Sequence, residues 1–122
     1  MQHKNSTKEF GRTRDQRRAL WRTMLGSLIV REKITTTEAK AKELKSRIDK
    51  IVRKAKKGKE ASRKVAVIRD LKNDIPLMAV KKITGEFLDK FEKRNSGYSR
   101  VIKLAARKSD GAKMAVIELI TQ

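Results

Sequence analysis

The sequence has no cysteine, one histidine, one proline and few aromatic residues, namely three Phe, one Trp and one Tyr in 122 positions. Each shortage removes a class of function. Without cysteine there is no disulfide and no thiolate metal site, and a reducing compartment is allowed. His3 is the sole histidine, so Ser27, Ser62, Ser99 and Ser109 have no nearby imidazole to activate them. There is no Gly-rich phosphate loop, and the acidic residues are scattered without an acid–base constellation. Catalysis, a metal or another cofactor, and a small-molecule substrate are therefore not expected. Trp21, Tyr98, Phe10, Phe87 and Phe91 are too few for a broad base-stacking platform, which favours recognition of shape and phosphate instead. No apolar run approaches the ~18 residues of a membrane span. Residues 1–6 lack the apolar stretch of a secretory signal and read as the mature start of an intracellular protein.

What is abundant is positive charge. Lys and Arg number 33 against 14 Asp and Glu, a formal net charge of +19. A compact domain of this size repels itself unless a polyanion neutralises it. Nucleic acids are the usual polyanions, and counterion release from their phosphates drives binding. The excess is spread along the chain, at +6 over residues 1–37, +6 over 38–60 and +7 over 61–122. One basic tail does not give that distribution; a domain with phosphate on several sides does. The 38% apolar content still suffices for a folded core, and the length fits one domain.

The pattern along the chain predicts an α+β domain of about four helices and a small sheet over residues 13–122, preceded by an extended basic arm over 1–12. Thr13-Arg14-Asp15-Gln16 fits a capping box opening a helix over about 15–31. Leu20, Met24 and Leu28, flanked by Leu25 and Ile29, form its apolar face. Gly26 inside that helix points to close packing. Ile34 to Thr37 suits a short strand leading to an N-cap at Thr36 or Thr37. The second helix then runs to about Lys57 and stops at Gly58. Its apolar stripe is Ala41, Leu44, Ile48, Ile51 and Ala55. Its other face is basic, with Glu38–Lys42 and Asp49–Arg53 as candidate i,i+4 pairs. A third helix over about 62–72 buries Val65, Ile68 and Leu71. A fourth runs from Pro76 to about Lys93 with Leu77, Val80, Ile83, Phe87 and Phe91 on one face. Residues 98–120 read as a hairpin around Ser109-Asp110-Gly111, joined by the Ile34 strand.

The functional constellation is basic. Arg12, Arg14, Arg17, Arg18 and Arg22 fall within eleven residues, and Arg is suited to bidentate phosphate contacts. The candidate nucleic-acid contacts are His3, Lys4, Lys8 and Arg12 in the arm, Arg14, Arg17, Arg18 and Arg22 on the first helix, and Tyr98 and Arg100 at the hairpin entry. Tyr98 either stacks on a base or packs on the domain, and Trp21 reads as core. These residues alone do not distinguish DNA from RNA. No zinc-finger, zipper or helix-turn-helix spacing is present, nor any RNA-module signature.

Several stretches resemble one family. They are Met1-x-His3-Lys4, Arg17-x-Ala19, Ser27-Leu28, Ile34 to Thr37, Ala39-Lys40-Ala41-Lys42-Glu43-Leu44, Gly97-Tyr98-Ser99-Arg100, and Met114-Ala115-Val116-Ile117-Glu118-Leu119. In that order and spacing the chain resembles the bacterial large-subunit ribosomal protein seventeen family from end to end. It departs from the usual family pattern at Gln2, Gln16, Ser96 and Ser99. The resemblance implies a short mixed sheet flanked by helices. It further implies a structural component of the large ribosomal subunit, in the cytoplasm, bound to the long ribosomal RNA near the nascent-chain exit and beside neighbouring ribosomal proteins. The alternative from composition alone is a free nucleic-acid binder, such as a nucleoid protein or an RNA chaperone.

Overall fold

The computed structural model describes residues 13–120. The expected arm over 1–12, with His3, Lys4, Lys8 and Arg12, lies outside the described residues. The first helix, α1 (Arg14–Arg31), opens on the capping box expected from its sequence. The Thr13 N–H donates to Gln16 Oε1 at 3.0 Å, and the Gln16 N–H donates to Thr13 Oγ1 at 3.3 Å. Two of the orphan donors at the helix start are thereby satisfied. Gln16, where the chain departs from the family pattern, thus has a folding role.

Glu32 ends α1 in a left-handed conformation, φ 70°, with its N–H on the Leu28 carbonyl. A residue with a Cβ is strained there by about 1–2 kcal/mol. The surroundings hold it in place. The Glu32 carbonyl accepts from the Leu119 N–H at 2.8 Å. Lys82 Nζ donates to Val30 O at 2.9 Å and to Glu32 Oε2 at 3.2 Å, putting a cation where the helix dipole favours one.

Strand β1 (Lys33–Thr37) then hands over to α2 (Glu38–Lys57) through Thr37. Helix α2 is the hub of the core. It buries Ala41, Leu44, Ile48, Ile51, Val52 and Ala55 and packs against all three strands and three other helical segments. Gly58 follows it, but not as a left-handed cap, since its φ is −74°. Its reason is proximity: a Cβ there would lie 3.0 Å from Val67 Cγ1.

Helix α3 (Lys64–Asp74) buries Leu71 fully, while Val65, expected inside, is 67% exposed. The expected fourth helix is two elements, α4 (Leu77–Ile83) and a 3-10 helix (Glu86–Phe91). The break falls at Thr84-Gly85, where Thr84 Oγ1 donates back to the Val80 carbonyl at 2.7 Å, a bond that competes with continued helix. Val80, Ile83, Phe87 and Phe91 stay buried across the break, whereas Leu77 is exposed. Gly26 explains how α4 reaches α1: a Cβ on it would meet Pro76 Cδ at 2.7 Å. Close packing, as read from the sequence, is the reason for that glycine.

Strands β2 (Ser99–Lys103) and β3 (Met114–Leu119) form the expected hairpin. The sheet order is β1-β3-β2 and both pairings are antiparallel, so the sheet is not mixed as expected. Alternation sets its faces: Ala115, Ile117 and Leu119 are buried, while Met114, Val116 and Glu118 are partly exposed. The loop is closed by Arg107 and Asp110. Arg107 Nε and Nη2 donate to the two Asp110 oxygens at 3.0 and 2.7 Å, and Asp110 Oδ1 also accepts from the Ala112 N–H. Gly111 takes φ 69°, as the Asp-Gly signal requires.

Candidate nucleic-acid interface

Of the candidate contacts within the described residues, the structure brings four together. Arg14, Arg18 and Arg22 recur every fourth position along α1 and are exposed, with half-buried Arg17 beside them. Arg22 also braces the fold, since its Nη1 donates to the Lys72 carbonyl at 2.9 Å and ties α3 to α1.

Two candidates sit elsewhere. Tyr98 is 1% exposed, so its ring is not presented to a base. It meets Phe91 edge-to-face at 5.7 Å, and Lys56 Nζ lies 4.6 Å from its ring centroid. Its hydroxyl donates to the Arg94 carbonyl, which also accepts from Lys56 Nζ, and its N–H donates to Asp49 Oδ1 at 3.1 Å. Asp49, expected to pair with Arg53, thus anchors the start of β2 instead. Arg100 stands on the exposed sheet face opposite Glu118 and pairs with it at 2.6 Å. Trp21 is buried, as expected, with the Arg47 guanidinium 4.7 Å from its ring centroid.

Arg18 of α1 borders a cleft that the linear sequence did not reveal. It has a volume of about 180 Å³ and lies between α1, α2 and the end of α3. Leu25 and Ile51 lie at its floor, almost wholly buried at 4% and 3% exposure. Arg18, Arg47, Lys50 and Lys54 line it, with Asn73 and Asp74 at the α3 end. Arg18 and Asn73 also line an adjoining depression beside Asp15 and Arg22. The cations differ in availability. Lys54 is held by Asp74 at 2.8 Å and Asp70 at 3.4 Å, and the Asp74 hydrogen bond raises its pKa. Arg47 is held by Glu43 at 3.2 Å. Arg18 and Lys50 form no carboxylate pair among the described residues. Arg47, Lys50 and Lys54 had a signal in sequence, since their i, i+3, i+7 spacing puts them on one stripe beside Ile51. Asn73 had none.

Among the described residues there is no cluster of three or more His, Asp or Glu side chains able to hold a metal, and no helix is long and apolar enough to cross a membrane. The described residues thus form a small α+β domain with exposed arginines along α1 and a cleft beside them lined by Arg18, Arg47, Lys50 and Lys54. Comparison with known proteins narrows what such a domain can be. Residues 20–120 match the family model of ribosomal protein L17. The large ribosomal subunit protein bL17 of Staphylococcus carnosus is 44% identical over 119 residues, covering 93% of this chain and 98% of its own. The proteins of the same name from Staphylococcus epidermidis and Staphylococcus aureus are 41% and 39% identical over 120 residues, again covering 93% of this chain and 98% of theirs. The chain belongs to the ribosomal protein L17 family.

Proposed function

We propose that this protein is a structural constituent of the large ribosomal subunit that stabilises folded large-subunit RNA by clamping its phosphates. The observation that carries this reading is family membership, with relatives named as large-subunit proteins aligned over nearly their whole length. The net charge of +19 supports RNA as the main partner. Arg14, Arg17, Arg18 and Arg22 hold phosphates along α1. The arm, through His3, Lys4, Lys8 and Arg12, threads between RNA helices. Arg100 contributes only when Glu118 releases it. Neighbouring ribosomal proteins complete the site, and the protein sits near the nascent-chain exit of the cytoplasmic ribosome. No small-molecule substrate, cofactor or membrane takes part.

The test is sedimentation and salt titration. The protein should travel with the large subunit at moderate salt, whereas a free nucleoid protein would follow DNA. Its affinity for large-subunit RNA should fall with a log–log salt slope of several units, because each duplex phosphate contact contributes about −0.9. A nearly flat slope would rule out the clamp.

A further inference from the structure

The sheet packs one face on the helices, through Ala115, Ile117 and Leu119, and leaves the other open. The register sets three rows across the open face. Lys33, Glu118 and Arg100 form the first, Thr35, Val116 and Ile102 the second, and Thr37, Met114 and Leu104 the third. An antiparallel sheet with one solvated face normally alternates apolar-in and polar-out. Strand β1 and the first row keep that rule. In the other two rows β2 and β3 break it. Ile102 and Leu104 are 46% and 45% exposed, and Val116 and Met114 opposite them are half-buried. None of the four belongs to the hydrophobic core or packs against it. Lying on two paired strands, they form one continuous patch and not scattered single residues.

The chemistry of the patch selects among occupants. An unstacked RNA base is held on aromatic rings or guanidinium planes; this patch is aliphatic, and the guanidinium beside it, Arg100, is already on Glu118 at 2.6 Å. A second copy would bring another charge of +19 against the first. Size argues the same way. Strands ~4.8 Å apart rising ~3.4 Å per residue give the open face an area on the order of 200–300 Å², well short of the about 800 Å² per partner that a stable globular interface buries. A single segment of chain is the occupant that fits. Lys33 at one end of the face and Lys113 at the other are exposed and form no carboxylate pair among the described residues. We propose that this face is covered by one amphipathic segment of another protein, its apolar side chains on Ile102, Leu104, Met114 and Val116 and its carboxylates toward Lys33 and Lys113. This contact presupposes the large-subunit reading above and specifies how a neighbouring protein joins it. The face is already ordered, since β3 is paired on both sides and Arg107 and Asp110 close the hairpin, so docking has little more to order on this side.

The chain has no cysteine, so Ile102→Cys gives it a sole thiol, at an exposed position outside the core. The probe is a maleimide, whose rate of attachment follows exposure of the thiol. Labelling is compared for the free full-length chain, for the chain on naked large-subunit RNA, and for the chain in reconstituted large subunits. It should be fast in the first two and slowed by about tenfold or more in the third. A photocrosslinker carried by the same thiol should then join the chain to a ribosomal protein, at a segment apolar on one side and bearing Asp or Glu. Thermal melts check the fold, and Leu104→Cys reports on the same face if the first variant melts early. Protection by RNA alone, labelling that stays fast in the subunit, or a crosslink to RNA or to a second copy of this chain would each overturn the assignment. Failure of the broader reading shows separately, as wild-type chain that does not enter large subunits, and removes this contact with it.

Discussion

The helical face and the hairpin carry similar positive charge and use it differently. On the sheet side, Arg100 pairs with Glu118 at 2.6 Å, Lys103 approaches Glu38 at 3.6 Å, and Arg107 grips Asp110 with two hydrogen bonds. At the cleft, Arg18 and Lys50 make no carboxylate pair among the described residues. A paired cation must give up its carboxylate before it can take a phosphate, and an unpaired one need not. Counting basic residues therefore overstates the charge that RNA can reach. Even at the cleft only two of the four cations are without such a pair, since Glu43 holds Arg47 and Asp70 and Asp74 hold Lys54.

Equal changes of charge in the two regions should thus have unequal effects. Replacing Arg14 and Arg18 by Gln removes two cations from α1; replacing Arg100 and Lys103 by Gln removes two from the sheet. Charge-assisted hydrogen bonds contribute about 1.5–3 kcal/mol each, so the α1 pair should weaken RNA binding by roughly a hundredfold or more. The sheet pair should cost less than about tenfold, and thermal melts should show both variants folded. Equal losses in a filter-binding assay would erase the distinction between the two regions.

A second change leaves all charges alone and loosens the support of the helical face. Gly26→Ala forces a Cβ to within 2.7 Å of Pro76 Cδ, and overpacking of this kind costs about 1–3 kcal/mol. The melting temperature should drop by several degrees. RNA affinity measured well below the melt should change much less than for the arginine pair. If the glycine variant melts like the wild type, α1 and the α4 start are not locked together as described.

The smallest effect concerns the paired region and acid. The hydrogen bonds from Arg107 hold the Asp110 pKa down from 3.8 to about 2. A depressed carboxylate pKa adds stability that is fully present above the unfolded value and disappears as pH falls through the folded one. The loop should therefore keep its closed geometry at pH 4 and lose it as pH approaches 2. Carboxyl chemical shifts would give the midpoint, and Arg107→Gln should return it toward 3.8 with no effect on RNA binding at neutral pH. A midpoint unmoved by that substitution would mean that the guanidinium is not what neutralises Asp110.

The features readable in the sequence were local ones. Thr13 and Gln16 are three residues apart and cap one helix end. Gly26 stood out inside an apolar face, and Asp110-Gly111 marked a turn with its own geometry. What escaped depended on residues distant in the chain. The fourth helix kept a helical apolar pattern through Thr84-Gly85, so periodicity alone could not show the break. The sheet's antiparallel order depends on where β3 inserts, which no strand encodes by itself. Tyr98 had two open readings until Phe91, Asp49 and Lys56 were found around it. Likewise, the α1 arginines were visible as a cluster, but the cleft that Arg18 borders needs α2 and the end of α3 to converge on it.

The strand order has a consequence for how the molecule is made. Both β1 and β2 pair with β3, which emerges last of the described elements during synthesis. Pairing Lys33 with Glu118 joins residues from nearly opposite ends of the described chain, a loop whose closure is entropically slow. Until β3 arrives, β1 and β2 wait without a partner strand, and the part of α2 that packs on β3 stays uncovered. The helices carrying the arginines can take shape early, while the sheet closes in one late step. A chain interrupted before Met114 would already have its cations but not its sheet, and would be prone to aggregate through those unpaired edges.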